Sequence, residues 1–155
     1  MNRIKKILLV LLVVFIAIQF AQPAQNKSGQ VLPTDIFKTV AVPENVHAIL
    51  QTACYDCHSN NSRYPWYNYV QPVAWILANH IKHGKKDLNF SEFGSYPISR
   101  QQSKLKAIAD QLRDGAMPLY SYTVIHKNAR LTKEEKLVII NWAQNEKDSL
   151  DKINP

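Results

Sequence analysis

Residues Cys54 to Tyr67 read CYDCHSNNSRYPWY. They contain the only two cysteines of a 155-residue chain, three positions apart, with His58 directly after the second. A disulfide across two residues closes a very small loop and takes little chain entropy from the unfolded state. The spacing therefore asks for another use of the thiols. Two sulfurs about one helical turn apart can reach two neighbouring substituents of one flat ligand. The residue that follows then lies beneath that ligand. Cys-x-x-Cys-His is for this reason the attachment signature of c-type haem. On this reading Cys54 and Cys57 form thioethers and His58 ligates the iron from the proximal side.

Two other chemistries use paired cysteines. A thioredoxin-like redox pair needs a βαβ context, and no strand pattern is visible. A zinc site needs four ligands. Cys54, Cys57 and His58 would be three, with His80 or His83 the fourth, in a crowded arrangement.

The chain opens with MNRIKK, which carries Arg3, Lys5 and Lys6, and then with an apolar run from Ile7 to Phe20 broken only by Gln19. A basic start followed by an apolar stretch is the layout of an export signal. The run is short for a span, which takes about 20 residues. Ala21-Gln22-Pro23-Ala24 is a poor cleavage site. The reading is an N-terminal anchor over residues 1–24, with a cleaved signal peptide as the alternative. Contact with the membrane is assigned to residues 7–21. The basic end stays in the cytoplasm, and the rest lies on the extracytoplasmic face of the cytoplasmic membrane, in the periplasm. Without the three leading cations, 16 basic residues face 12 acidic ones. That excess is mild and dispersed, with its densest cluster at Lys82, Lys85 and Lys86, so nucleic acid is not an expected partner.

Residues 25–42 are polar and proline-containing and read as a tether that becomes ordered near Ile36 or Phe37. A domain over residues 43–148 follows, then a tail over 149–155. Its first helix starts at Pro43 and presents Val46, Ile49, Leu50 and Ala53 on one face. A loop covers Ser59 to Tyr69. The second helix starts at Pro72 and stops at Gly84, with Val73, Ile76, Leu77, His80 and Ile81 on one side. Residues 85–98 read as irregular. Ser99 with Gln102 forms a capping box for a third helix bearing Leu105, Ile108, Ala109 and Leu112, ended by Gly115. An extended stretch runs from Met117 to Arg130. Thr132 with Glu135 caps a last helix that reaches about Lys147 and buries Val138, Ile139 and Trp142. The fold class is all-α, with about four short helices and long loops. Such a chain buries little apolar surface by itself, and a haem at its centre supplies the missing core.

Met117 is the only methionine beyond the first residue. It lies in a Met-Pro loop ahead of the last helix. A thioether ligand raises the potential of haem iron, and Met117 is the distal candidate. His80, on the apolar side of its helix, is the alternative distal ligand. His126 is read as bonded to a propionate or to the chain, and His47 and His83 as exposed. Tyr64, Trp66 and Tyr67 follow the attachment site closely enough to pack on the haem.

Residues 43–142 resemble the small exported haem-binding domain family of single-haem c-type cytochromes. The resemblance rests on CYDCHSN with YPWY behind it, on HIKHG (80–84) with LNFSEF (88–93), on Met117-Pro118-Leu119, and on Tyr122 to Leu131. The order of parts is also similar to class I cytochromes c, which implies a cytochrome c-like fold and His58 with Met117 as the axial pair. The resemblance implies one covalent haem c and no known substrate. The expected function is that of a membrane-anchored exported electron carrier serving an unknown redox partner protein. The alternative is a peroxidase-like haem enzyme or sensor with an open distal site.

Overall fold

The computed structural model describes residues 2–153. It is all-helical: no strand is present among the described residues, and the one β-type contact is a bridge between Lys27 and Asn61. Eight α-helices follow one another. They are α1 (Arg3–Ile18), α2 (Ile36–Thr39), α3 (Glu44–Ala53), α4 (Tyr55–His58), α5 (Val73–Asp87), α6 (Ile98–Arg113), α7 (Tyr120–Ile125) and α8 (Lys133–Ile153). Short 3-10 turns at Trp66–Tyr69, Phe90–Ser95 and Lys127–Ala129 fill the connections.

The expected helices are present, with changed boundaries and additions. The segment from Met117 to Arg130 is not extended; it folds into α7 and a 3-10 turn. The last helix continues past Lys147 to Ile153, so residues 149–153 of the expected tail are helical, and Leu150 packs against the core. Residues 154 and 155 lie outside the described residues.

The two capping boxes divide. At α8 the pair forms in both directions: the Glu135 amide donates to Thr132 Oγ1 at 3.1 Å, and the Thr132 amide to Glu135 Oε2 at 2.8 Å. At α6 it does not form. Pro97 is the cap residue, which places Ser99 inside the first turn, and the Gln101 side chain reaches back to the Tyr96 carbonyl instead.

Gly84 does not stop α5, which runs on to Asp87. Its missing side chain serves a different purpose. A Cβ at this position would lie 2.7 Å from the Cys57 carbonyl oxygen. Gly84 lets α5 press directly on the Cys-x-x-Cys-His turn, the kind of close backbone approach that only glycine allows.

The core forms where α6 and α8 pack together and α3 closes over them. Leu105, Ala109 and Leu112 of α6 meet Ile139, Ile140 and Ala143 of α8, with Val46 and Leu50 of α3. Trp142 is buried there, and its Nε1 donates to the Ala41 carbonyl at 2.8 Å.

The segment expected to be a tether is docked on the domain. Asn26 Nδ2 donates to the Ser59 carbonyl at 2.7 Å and to Ser62 Oγ at 2.9 Å. The Ser28 amide bonds to the Asn60 carbonyl, and the Gly94 amide to the Thr34 carbonyl. Asp35 is buried and caps α2. Polar residues here read as solvated linker, but Asn26 and Ser28 bond to the Ser59–Ser62 loop and Thr34 Oγ1 donates to the Ser91 carbonyl.

Gly84→Ala tests the close approach. Alanine gains about 1 kcal/mol of helix propensity, whereas overpacking against backbone costs about 1–3 kcal/mol. A net loss is expected, read as a lower melting temperature by circular dichroism. A variant that melts at or above the parent temperature would refute the contact.

Candidate functional site

The Cys54–His58 turn is almost a continuation of α3. The helix breaks only at Cys54 (φ −124°, ψ −38°), whose carbonyl accepts from the amides of both Cys57 and His58. Cys54, Cys57 and His58 are thereby fixed on one tight turn. Both cysteines are free thiols and partly buried.

Two cavities are lined by the cysteines of this turn. The larger, about 300 Å³, is lined by Cys54, His58 and Met117, with Leu50, Phe90 and Leu112 among its apolar walls. The smaller, about 170 Å³, is lined by Cys57 with Tyr67, His80, Leu119, Tyr122 and His126. The turn borders both spaces, and so does the Met117–Leu119 segment. Met117 is placed by the end of α6. Gly115 adopts a positive φ of 69°, and the amides of Ala116 and Met117 both return to the Gln111 carbonyl.

His58 is oriented by its own hydrogen bond. Its Nδ1 lies 3.1 Å from the Leu88 carbonyl oxygen. A carbonyl can only accept, so Nδ1 carries the proton and Nε2 keeps its lone pair. Burial lowers the pKa of the imidazole and holds it neutral. A neutral ring with its second nitrogen tied to a backbone carbonyl is the arrangement found in histidine metal ligands. Burial pushes the Cys54 thiol up to about 12, with Cys57 adding to the rise. Burial followed by the Asp56 charge pushes Cys57 up to about 11. Both thiols are therefore protonated near neutral pH in the haem-free chain.

The two residues between the cysteines are also held. Tyr55 is buried, donates to Asp35 Oδ1 at 2.9 Å, and stacks between Phe37 and Phe90 at centroid distances of 4.8 and 5.1 Å. Asp56 accepts from the Arg63 amide and guanidinium through Oδ1, and from the Tyr122 hydroxyl through Oδ2 at 2.7 Å. Burial, then the bond to Asp56, raises the Tyr122 pKa strongly. His126 stacks on Tyr122 at 4.0 Å. Its Nδ1 donates to the Tyr122 carbonyl, so Nε2 accepts from the Tyr67 hydroxyl at 2.9 Å.

The LNFSEF segment has a clear place here. Leu88 orients His58. Asn89 bonds to Asn60 by Nδ2 at 2.9 Å, Ser91 accepts from the Asn60 amide, and Phe90 completes the aromatic stack. The sequence reading missed Leu88, Asp35, Tyr55 and Asp56 as site supports. A backbone acceptor leaves no residue-type signal. The nearness of LNFSEF to CYDCHSN becomes visible only once α5 has turned the chain back.

Two expected site residues, Trp66 and Tyr64, stand elsewhere. Trp66 is 79% exposed and lines neither cavity. Tyr64 accepts from the Asn26 amide at 2.6 Å and faces the N-terminal segment rather than the cysteines. Its hydroxyl is committed to that docked segment rather than to the expected haem contact. His80 lines the Cys57 cavity, apart from the space shared by His58 and Met117. Tyr67 does line the Cys57 cavity. His47, expected to be exposed, is half-buried against Phe37 at 4.0 Å, and His83 is exposed. Among the described residues no group of three or more His, Cys, Asp or Glu side chains is placed to hold a metal ion. The zinc arrangement weighed from the sequence is not assembled.

The haem-binding domain family matches residues 13–145. This chain belongs to the haem-binding domain family. Over 110 residues it is 27% identical to the cytochrome c peroxidase Ccp of Escherichia coli (strain K12), a stretch that covers 66% of this chain and 23% of that protein. The chain thus spans less than a quarter of the length of that relative. No solved structure matches. The residue types of the lining fit a porphyrin: apolar walls with Cys54, His58 and Met117 around one cavity, and Cys57 on the other. The apolar side of α5 around Val73 and Ile76, which the pattern assigned to the core, is exposed beside Cys57.

The His58 burial predicts a pH effect in haem-free protein. Its pKa lies below the ordinary value of 6.5, so the unfolded chain takes up the proton first as pH falls. Stability is therefore lost on acidification below about pH 7, with a limiting slope of about 1.4 kcal/mol per pH unit. Denaturant titrations at neutral and mildly acidic pH should show a smaller loss in His58→Gln than in the parent. Equal losses would count against the buried neutral ring.

Proposed function

We propose that this haem-binding domain is an exported c-type electron carrier. Cys54 and Cys57 would hold one haem through thioethers, and His58 and Met117 would ligate its iron. The observation that carries the reading is that His58 and Met117 line one cavity together with Cys54. When bound, the haem supplies a one-electron ferric/ferrous couple.

The chain's residues tune and protect that couple. The Leu88 carbonyl fixes the imidazole tautomer and raises its basicity as a donor. The thioether of Met117 favours the reduced iron and so raises the potential. Leu50, Phe90 and Leu112 exclude water from the His58 side. With both His58 and Met117 as ligands, small substrates would be kept from the iron, which suits passing electrons from a donor protein to an acceptor rather than transforming a substrate.

Export and membrane attachment belong to the same proposal. The apolar side chains of α1 from Ile4 to Ile16 are exposed, behind the basic residues Arg3, Lys5 and Lys6. No helix among the described residues is long and apolar enough to cross a membrane. The reading therefore rests on the charge layout and on the uncovered apolar surface of α1.

A peroxidase-like reading has one observation behind it, the likeness to a cytochrome c peroxidase. It needs an open distal position and an acid–base group near the iron. Met117 at the His58 cavity favours electron transfer.

The alkaline pyridine haemochrome spectrum of protein made with a c-type maturation system should report two thioether bonds, and Cys54→Ser or Cys57→Ser should leave one. A spectrum of unmodified haem b would end the covalent reading. Met117→Ala should lower the midpoint potential and speed cyanide binding. If the parent already binds cyanide rapidly and Met117→Ala changes neither quantity, the peroxidase-like reading prevails.

A further inference from the structure

The helix α1 has 16 residues and rises about 24 Å at 1.5 Å per residue, whereas a bilayer's hydrocarbon core is about 30 Å thick. A helix that falls short is accommodated by thinning the bilayer or by drawing flanking groups into the interface. What flanks α1 here is the domain itself. The chain leaves α1 bonded to the start of α5 and the turn before it. The Gln71 amide donates to Gln19 Oε1 at 2.9 Å, Trp75 Nε1 to the Ala21 carbonyl at 2.9 Å, and Gln22 Nε2 to the Tyr69 carbonyl at 3.2 Å.

Around this junction lies an exposed apolar and aromatic group. Phe20 is 84% exposed, Trp66 79%, Tyr69 53% and Trp75 41%, and Val70 is also exposed. None of the five lines either cavity beside the cysteines, so a bound haem does not account for them. Trp and Tyr are the side chains favoured where hydrocarbon meets headgroups. The Trp75 indole N–H is already satisfied by Ala21, so the ring can be immersed without leaving a donor unpaired.

Charge points the same way. Residues 1–34 and 57–86 contain no Asp or Glu; all 12 carboxylates of the chain lie elsewhere. Those two stretches build α1, the junction and α5 up to Lys86, and they carry Lys27, Lys82, Lys85 and Lys86 besides Arg63, which is paired with Asp56. Segments that bring several cations and no carboxylate of their own suit anionic headgroups.

We infer that Phe20, Trp66, Tyr69, Val70 and Trp75 form a seat on the lipid bilayer, which holds the haem-binding domain against the membrane in one orientation at the base of α1. The inference rests on the reading that α1 enters the membrane. It adds that the domain is not suspended from a flexible linker. The partner is the lipid surface itself.

Radiolytic footprinting of the haem-loaded chain in nanodiscs of phosphatidylcholine and phosphatidylglycerol tests it, with like residues as internal standards. Trp142 is 6% exposed, Phe93 0% and Tyr120 81%. On the seat, Trp66 and Trp75 should be modified as slowly as Trp142, and Tyr69 severalfold more slowly than Tyr120. Phe15 of α1 reports separately on insertion by comparison with Phe93. If Phe15 is protected while Trp66 and Trp75 react severalfold faster than Trp142, the seat is overturned and the anchor stands. If Phe15 is unprotected but Trp66 and Trp75 are protected, the anchor reading fails and the seat is supported. Exposure of all of them overturns both, and protection seen only in native membranes, not in pure lipid, would assign the surface to a protein and overturn the lipid seat.

Discussion

The hydrogen bond from His58 Nδ1 to the Leu88 carbonyl is the contact on which the arrangement turns. It requires the chain to come back to the cysteine turn 30 residues later, and α5 performs that return. Gly84 makes the return possible, because any side chain there would collide with the Cys57 carbonyl. Once α5 lies against the turn, Leu88, Asn89, Phe90 and Ser91 are delivered together. One orients the imidazole, two grip Asn60, and one stacks on Tyr55. The segment that looked irregular is the brace of the site.

The opposite wall has a separate origin. The packing of α6 on α8 would form a small helical core without any ligand, through Leu105, Ala109, Leu112, Ile139 and Ala143. Its contribution to the site is the end of α6, where the Gly115 turn ties Met117 to the Gln111 carbonyl. The site thus lies between a locally braced turn and a loop carried by the main hydrophobic core. A loose core would blur the position of Met117 long before it disturbed His58.

Much of this was legible in the sequence. The apolar spacing of α3, α6 and α8 announced helices, and the Thr132–Glu135 box marked its start correctly. The family match agrees with the haem binding that the pentapeptide suggested. The misreadings share a physical cause. Gly84 was taken for a terminator because glycine is ambiguous between a left-handed cap and a close approach, and only the neighbouring element decides. Ser99 lost its capping role because Pro97, two residues earlier, already set the cap geometry. Polar residues in the 25–42 segment read as a linker because amide side chains that bond to distant backbone look the same on paper as amides that bond to water. Tyr64 and Trp66 were grouped with Tyr67 by nearness in sequence, but the turn between them sends them in different directions.

The two residues between the cysteines are usually written as blanks. Here neither is free. Tyr55 is clasped by Phe37, Phe90 and Asp35, and Asp56 holds partners 7 and 66 positions downstream. A pentapeptide transplanted into another helical scaffold would carry its sulfurs and its imidazole, yet arrive without the anchors that set their direction. In this domain the signature is better regarded as five contiguous letters of a much longer, discontinuous word.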